Sequence, residues 1–158
     1  MQEMRDAEMD LETADAIGFG QSLKGMGLNL LVRDVSRSVA VLTEVFDMRA
    51  FQPSADFAIM VSGSAVLQLH ADHTYHANPL PALIPENGPR GGGLEIRLYD
   101  IDPDAAQARA QAHEGAQVFK AASNRPHGLR EAYILDADRY CWVPSRPLNA
   151  DEVEAVDA

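Results

Sequence analysis

An internal repeat restricts the possible fold more than any other feature of this sequence. The ten residues Gly25–Asp34 align without a gap with Gly91–Asp100. Glycines match at the first and third positions, alternating apolar residues follow, and an aspartate ends each segment. The same order of helical and strand patterns then follows each aspartate. A chain that repeats itself in this way is built from two copies of one structural unit.

The first copy predicts a strand, a helix and three further strands. Leu28, Leu30 and Val32 alternate as on one face of a strand. Asp34 or Ser36 then caps a helix whose apolar residues recur at steps of three and four. Those apolar residues are Val35, Val39, Leu42 and Phe46. Three strand-like stretches follow, near residues 49–52, 57–61 and 65–70.

The second copy predicts the same five elements. Asp102 caps the helix, Pro103 lies in its first turn and Gly115 ends it. Strand-like stretches follow near residues 117–121, 129–135 and 140–144. The chain therefore reads as two βαβββ modules.

These patterns divide the chain into an N-terminal arm, one domain and a tail. The arm covers residues 1–22, the domain 23–148 and the acidic tail 149–158. Within the domain, module 1 covers residues 25–72 and module 2 residues 91–146. The linker between them, residues 73–90, contains four prolines and is predicted to be a crossover loop.

The repeated openings and the end of module 2 resemble the vicinal-oxygen-chelate superfamily, which includes glyoxalase I, extradiol dioxygenases, fosfomycin-resistance enzymes and bleomycin-binding proteins. The segments that carry the resemblance are Gly27–Asp34, Gly93–Asp100 and Tyr133–Val143. Asp136–Arg139 matches the family's Asp-Pro-Asp-Gly turn, with alanine and arginine where proline and glycine are usual. The resemblance implies an α+β fold in which two βαβββ modules form curved mixed sheets around a central cavity, with helices outside. It also implies a homodimer.

The resemblance further locates the four positions that hold a divalent metal in the family's metalloenzymes. Here they are Gly27, Gly93, Gln68 and Val143. Glycine and valine have no side-chain donor for a metal, and Gln68 alone does not form a site. We therefore expect no metal at the usual position and no cofactor.

Given the family arrangement, strand alternation predicts which polar side chains point into the cavity. We expect them to bind a ligand, because a cavity with a few converging polar groups is typical of a small-molecule site. The predicted ligand-binding residues are Asn29, Gln68, His70, Glu95, Arg97, Glu131 and Tyr133. The alternative is that Glu95 and Arg97 simply pair with each other, or line a solvent-filled cleft or a dimer interface.

A second metal hypothesis comes from the start of the linker. His70, Asp72, His73 and His76 are all competent metal ligands. Residues three apart on a strand face opposite sides, however, so surface histidines are the alternative.

The formal net charge of −11 argues against a nucleic-acid partner and would suit a cationic ligand, or it simply maintains solubility. No apolar run is long enough to span a membrane, so we expect no membrane partner. The acidic N-terminus does not resemble a secretory signal, and Cys141 is the only cysteine. Both observations predict a cytoplasmic protein.

The sequence thus favours a metal-independent small-molecule-binding protein of the glyoxalase/bleomycin-resistance type, one that sequesters a cationic antibiotic or metabolite. No catalytic residue is assigned. Two alternatives stay open. One is a lyase, isomerase or dioxygenase-like enzyme, with a displaced metal or a metal-free pair such as His70 with Glu95 or Glu131. The other is a non-catalytic protein that contacts a partner through the N-terminal arm.

Overall fold

The computed structural model describes residues 9–157, and the two modules within them have the same order of elements. Helix α1 (Ala16–Ser22) comes before module 1, and helix α4 (Ala150–Asp157) follows module 2. Module 1 consists of β1 (Leu28–Val32), α2 (Val35–Glu44), β2 (Arg49–Phe51), β3 (Phe57–Ser62) and β4 (Ala65–Ala71). Module 2 consists of β5 (Glu95–Tyr99), α3 (Pro103–Gln111), β6 (Ala116–Asn124), β7 (Leu129–Asp136) and β8 (Cys141–Pro147). Short 3₁₀ helices occur at Asp72–Tyr75 and Leu80–Leu83.

Each module forms its own four-stranded mixed sheet. The strand orders are β1-β4-β3-β2 and β5-β8-β7-β6. In both sheets the first strand of the module runs parallel to the last, and the other pairs are antiparallel. The two sheets remain separate and do not close into a barrel. The α+β fold with two βαβββ modules is therefore confirmed.

The helices begin at the predicted aspartates, but the end of α3 differs from the prediction. Asp34 Oδ1 accepts a hydrogen bond from the backbone N–H of Arg37 at 3.1 Å, and Asp102 caps α3 in the same manner. Helix α3 ends at Gln111, before Gly115. A Cβ at position 115 would lie 2.8 Å from Cγ2 of Val41. Gly115 thus allows module 2 to pack closely against α2 and does not end the helix.

One hydrophobic core contains buried side chains from both modules. On each sheet, alternate residues point toward the helices, and Trp142 of β8 is the largest fully buried side chain. Its ring lies 5.9 Å from that of Phe46, and its Nε1 donates to Asp136 Oδ2 at 2.9 Å. The indole therefore packs in the core with its polar atom satisfied. Each sheet has a second face, which we call its open face, on the side away from this core.

Ion pairs attach the end of the linker to both modules. The carboxylate of Asp138, in the β7–β8 turn, is buried and lies 2.8 Å from Nη1 of Arg33, just after β1. Arg90 of the linker donates to Asp72 Oδ2 at 2.7 Å, and its Nε lies 3.8 Å from Asp138 Oδ1. These contacts hold the end of the linker, residues 90–93, in place beside both modules.

A helix lies near each end of the described part of the chain, where the sequence predicted an arm and a tail. Helix α4 occupies most of the predicted acidic tail, and Glu152 accepts two hydrogen bonds from Arg146 at 2.8 and 2.9 Å. Residues 1–8 of the predicted arm lie outside the described part of the chain. None of the helices within residues 9–157 has the length and apolar character needed to cross a membrane.

Candidate functional site

The seven predicted ligand-binding residues divide between the two open faces. Asn29, Gln68 and His70 lie on the open face of module 1. The other four, Glu95, Arg97, Glu131 and Tyr133, lie on the open face of module 2. No hydrogen bond or ion pair between described residues joins the two groups. The structure therefore contains two separate sets of polar groups, and a direct pair of His70 with Glu95 or Glu131 is not formed.

The N-terminal arm covers the open face of module 1. Phe19 of α1 is 7% exposed and packs with Ile59 and Val61 of β3. Gln52 fixes the segment before α1, because its Nε2 donates to the backbone carbonyl of Leu11 at 2.7 Å. The described part of the arm thus makes its contacts within its own chain.

The polar residues of module 1 satisfy one another beside this apolar cover. His70 Nε2 lies 3.1 Å from Gln68 Oε1, and the imidazole lies 5.1 Å from the rings of both Phe57 and Tyr75. Asn29 Nδ2 donates to the Tyr75 hydroxyl at 3.3 Å. Burial lowers the pKa of His70 below its usual 6.5, so its imidazole is neutral at neutral pH. These contacts hold the polar side chains of module 1 against one another and against two aromatic rings.

Glu131 is the centre of the polar network on the open face of module 2. Its carboxylate is 1% exposed and accepts hydrogen bonds from Arg97 Nη2 and, at 3.1 Å, from His127 Nε2. The Tyr133 hydroxyl donates to the same carboxylate at 3.4 Å, and Arg97 Nη1 also reaches Glu95 Oε2 at 3.0 Å. Burial acts to raise the pKa of Glu131, but the hydrogen bonds from Arg97 and His127 outweigh it and lower the pKa. Glu131 is therefore a buried, ionised and fully engaged carboxylate.

Beside this network lies a cavity of about 630 Å³, formed by module 2 and the end of the linker. Its apolar lining includes Leu94, Phe119, Leu135 and Cys141. Its polar lining includes Glu95, Tyr133 and Arg139. The cavity has the size and the mixed lining of a small-molecule site.

A β-bulge in β6 brings two consecutive side chains to the open face of module 2. Val118 pairs with Ile134 and Lys120 pairs with Tyr133, so Phe119 is an extra residue between them. Phe119 lines the cavity and is 67% exposed, and Lys120 Nζ lies 5.9 Å from the centre of the Tyr133 ring. Regular alternation would send one of the two to the opposite face. Neither residue was predicted to lie on this face, because nothing in the sequence marks the bulge.

Three further residues of this face lie in turns, where strand alternation makes no prediction. Arg139 lines the cavity from the β7–β8 turn, with a φ of +64°. Arg125 and His127 lie between β6 and β7, and Arg125 Nε is 3.8 Å from Glu131 Oε1. Burial raises the pKa of the Cys141 thiol, with a further contribution from Glu95, so this cysteine remains protonated and is not an activated nucleophile.

The four positions that hold metal in the resembling family do not provide a set of donors. Gly27 and Gly93 come just before β1 and β5, the side chain of Val143 is fully buried, and Gln68 is hydrogen-bonded to His70. Gly93 has a φ of +78°, so the backbone itself favours glycine there. The residues at these positions do not fit a divalent metal.

The histidines at the start of the linker do not converge on a common point. His73 Nε2 lies 2.8 Å from Asp56 Oδ1, and His76 Nδ1 lies 2.9 Å from the backbone carbonyl of His73. Within residues 9–157, no group of three or more His, Cys, Asp or Glu side chains is placed to hold a metal ion.

Comparison with known proteins identifies the class of fold. Two βαβββ modules with these strand orders define a protein of the vicinal-oxygen-chelate fold. Solved structures of glyoxalase/bleomycin-resistance/dioxygenase proteins and related enzymes have the same fold. A glyoxalase/bleomycin resistance protein/dioxygenase family enzyme from Burkholderia phytofirmans superimposes with a TM-score of 0.61 at 19% identity, covering 77% of this chain and 97% of that one. A glyoxalase-related enzyme from Fulvimarina pelagi gives 0.63 at 17% identity, covering 81% and 94%.

The fosfomycin resistance protein FosX from Mesorhizobium loti gives a TM-score of 0.56 at 15% identity, covering 83% of this chain and 98% of FosX. No protein-family model and no curated protein matches the sequence. At such identities the similarity establishes the fold and not the chemistry, because this fold supports unrelated activities.

Proposed function

We propose that this protein binds a small organic molecule in the cavity of module 2, without a metal ion. The observation that carries the proposal is Phe119, a large aromatic side chain that is 67% exposed and lines a cavity of about 630 Å³. An exposed apolar side chain that lines a concave, partly polar surface is typical of a ligand-binding site.

The polar side of the cavity supports this proposal because its groups are held in place before a ligand arrives. Tyr133 and Arg97 both donate to the buried Glu131, and Arg97 also holds Glu95. The nearby carboxylate of Glu95, together with burial and the charge of Glu131, raises the pKa of the Tyr133 phenol. The hydroxyl therefore remains a donor at neutral pH. Fixed side chains lose little conformational entropy when they bind a ligand.

The composition of the site supports metal independence. Val143 and Gly93 have no donor atoms to offer a metal, and Arg97, which pairs with Val143 across β5 and β8, places a cation on the same face. A bound divalent ion would be repelled by this guanidinium. Elemental analysis of untagged protein is expected to find well below one metal ion per chain, and chelators should leave ligand binding unchanged. One tightly bound equivalent would contradict metal independence.

Binding itself is tested by screening a library of small aromatic and aliphatic compounds, with amide chemical shifts as the readout. We expect shifts confined to the end of the linker, the strands β5 to β8 and the β7–β8 turn. Phe119→Ala should weaken any ligand found by about tenfold, the size of effect seen when an aromatic anchor is truncated. Leu83→Ala removes an equally exposed apolar side chain from the linker, away from the cavity, and serves as the matched control. Binding that is insensitive to Phe119→Ala, or shifts confined to module 1, would refute the proposed site.

A further inference from the structure

The open face of module 2 has a local charge opposite in sign to that of the whole chain. The chain carries a formal charge of −11. The face, however, has more cationic than acidic side chains. Its cations are Arg97, Lys120, Arg125 and Arg139, and its carboxylates are Glu95 and Glu131.

Both carboxylates are already paired by side chains of the same face. Arg97 contacts Glu95 and Glu131 together, and His127 adds a second donor to Glu131. By contrast, Lys120 and Arg139 form no ion pair with any residue in the described part of the chain. Glu95 lines the cavity and shares Arg97 with Glu131, so it keeps part of its negative charge there, but the face still carries four cations against two carboxylates.

The unpaired cations lie beside the apolar surfaces of the cavity. Lys120 Nζ lies 5.9 Å from the centre of the Tyr133 ring, and its neighbour Phe119 lines the cavity. Arg139 lines the cavity from the β7–β8 turn. A ligand that lies against Phe119 and Tyr133 would thus have cationic groups at its edge.

Resting on the binding function proposed above, we infer that the ligand is an anionic aromatic molecule, such as an aromatic carboxylate. Its ring would pack on Phe119 and Leu135, and its acidic group would meet Lys120 or Arg139. Charge complementarity favours this occupant because an anion would gain partners that the protein does not supply.

The net charge of the chain does not reverse this preference. Charges are screened over about 8 Å at physiological ionic strength, so the summed charge of the whole chain acts only weakly at the cavity. The charges next to the cavity therefore dominate the affinity. A cationic ligand, which the net charge alone would favour, would meet arginine and lysine with both glutamates already engaged.

Three compounds that share one ring system test the inference: 2-naphthoate, 2-naphthamide and 2-naphthylmethylammonium. Titration calorimetry and amide shifts at low ionic strength would give their affinities for the wild-type protein. We expect 2-naphthoate to bind about tenfold more tightly than the ammonium compound, with the amide in between. Added salt should reduce this difference, since partly exposed charges are screened.

Single substitutions connect the preference to the named cations. Lys120→Gln and Arg139→Gln should each weaken 2-naphthoate about two- to fivefold, as expected for a partly exposed ion pair, and leave the amide unchanged. Lys24→Gln removes an exposed cation between α1 and β1, outside this face, and should change neither compound.

The outcomes separate this inference from the broader binding proposal. If the ammonium compound binds as tightly as 2-naphthoate in a manner sensitive to Phe119→Ala, the inference is wrong and the cavity is still a binding site. Equal affinity for 2-naphthoate and the amide also refutes it. If none of the three binds at millimolar concentration, the inference is again wrong, and the library screen alone decides whether the cavity binds anything.

Discussion

The two modules share one fold but present opposite kinds of surface on their open faces. In module 1 the open face of β3 carries Ile59 and Val61, and helix α1 covers it through Phe19. In module 2 the same face of β7 carries Glu131 and Tyr133, and it borders an open cavity. Strand order and parallel pairing are the same in both modules.

The side chains of one strand face explain why one module is covered and the other is open. An apolar face exposed to water is unfavourable, so packing of α1 on module 1 stabilises the chain. The face of module 2 needs no cover because Glu131 receives its hydrogen bonds from neighbours on the same face. Two modules of the same topology thus differ in whether the face away from the core is packed against a helix or left open.

The largest expected loss of stability follows removal of the buried Glu131 carboxylate in module 2. Glu131→Ala removes the main partner of Arg97 and the acceptor of His127. We expect a loss of about 3 kcal/mol in the free energy of unfolding, the usual cost of breaking a buried ion pair. Urea denaturation measures it, and a loss below about 1 kcal/mol would show that the open face does not depend on this carboxylate.

A double substitution separates unpaired charge from lost packing. Arg97→Met with Glu131→Leu replaces both charges by apolar side chains of similar length. The double variant should unfold within about 1 kcal/mol of wild type, because removal of both partners leaves no buried charge unpaired. A double variant as unstable as Glu131→Ala would indicate that packing around Glu131 dominates instead.

The next largest loss of stability is expected when Phe19, which packs helix α1 on module 1, is truncated. Phe19→Ala should lower the free energy of unfolding by about 2 kcal/mol, the stabilisation expected from burial of one large apolar side chain, and speed hydrogen exchange in β3, since Phe19 packs on Ile59 and Val61. Ile17→Ala, on the 72% exposed side of the same helix, should cost under about 0.5 kcal/mol. Equal effects of the two substitutions would contradict a cover held by Phe19.

The repeat-matched glycines allow a direct comparison of the two modules. Gly93→Ala should cost about 1 kcal/mol, because its φ of +78° is unfavourable for a residue with a Cβ. Gly27→Ala should change stability by only a few tenths, since a Cβ there meets no atom within 4 Å and the φ is not in the left-handed region. Urea midpoints check both. Equal costs would show that the two openings have the same backbone conformation.

The fold followed from the sequence because its signals are local and repeated. The gapless match of Gly25–Asp34 with Gly91–Asp100 predicted two modules, and the aspartates at 34 and 102 cap the predicted helices. Alternation also predicted that Glu95 and Arg97 share a face with Glu131 and Tyr133, given the register of a β5-β8-β7 sheet.

The site was predicted less well because it depends on departures from regularity. The bulge at Phe119 and the turn that holds Arg139 have no signal in strand alternation. The cover by α1 was missed because Phe19 is its only buried residue, so the helix has no apolar stripe. Because the packing of α1 was not predicted, the open face of module 1 was expected to be as accessible to a ligand as that of module 2.

The smallest expected effect is a difference between the modules in their response to acid. Burial lowers the pKa of His70 below 6.5, so the folded state takes up a proton less readily than the unfolded state. The stability that His70 contributes is complete above that value and is lost as pH falls through the lowered pKa. For Glu131, the pKa is lowered from 4.5, so its contribution is complete above 4.5 and is lost only at more acidic pH.

Acid should therefore weaken module 1 before module 2. Between about pH 7 and pH 5, hydrogen exchange should quicken in β3 and β4 while β7 and β8 stay protected. His70→Gln keeps a hydrogen-bonding side chain beside Gln68 and should abolish this early change, whereas Glu131→Gln should flatten only the response below 4.5. If β3 and β4 of His70→Gln still loosen first, the acid response of module 1 comes from another group, and burial of His70 beside Phe57 and Tyr75 does not explain the difference.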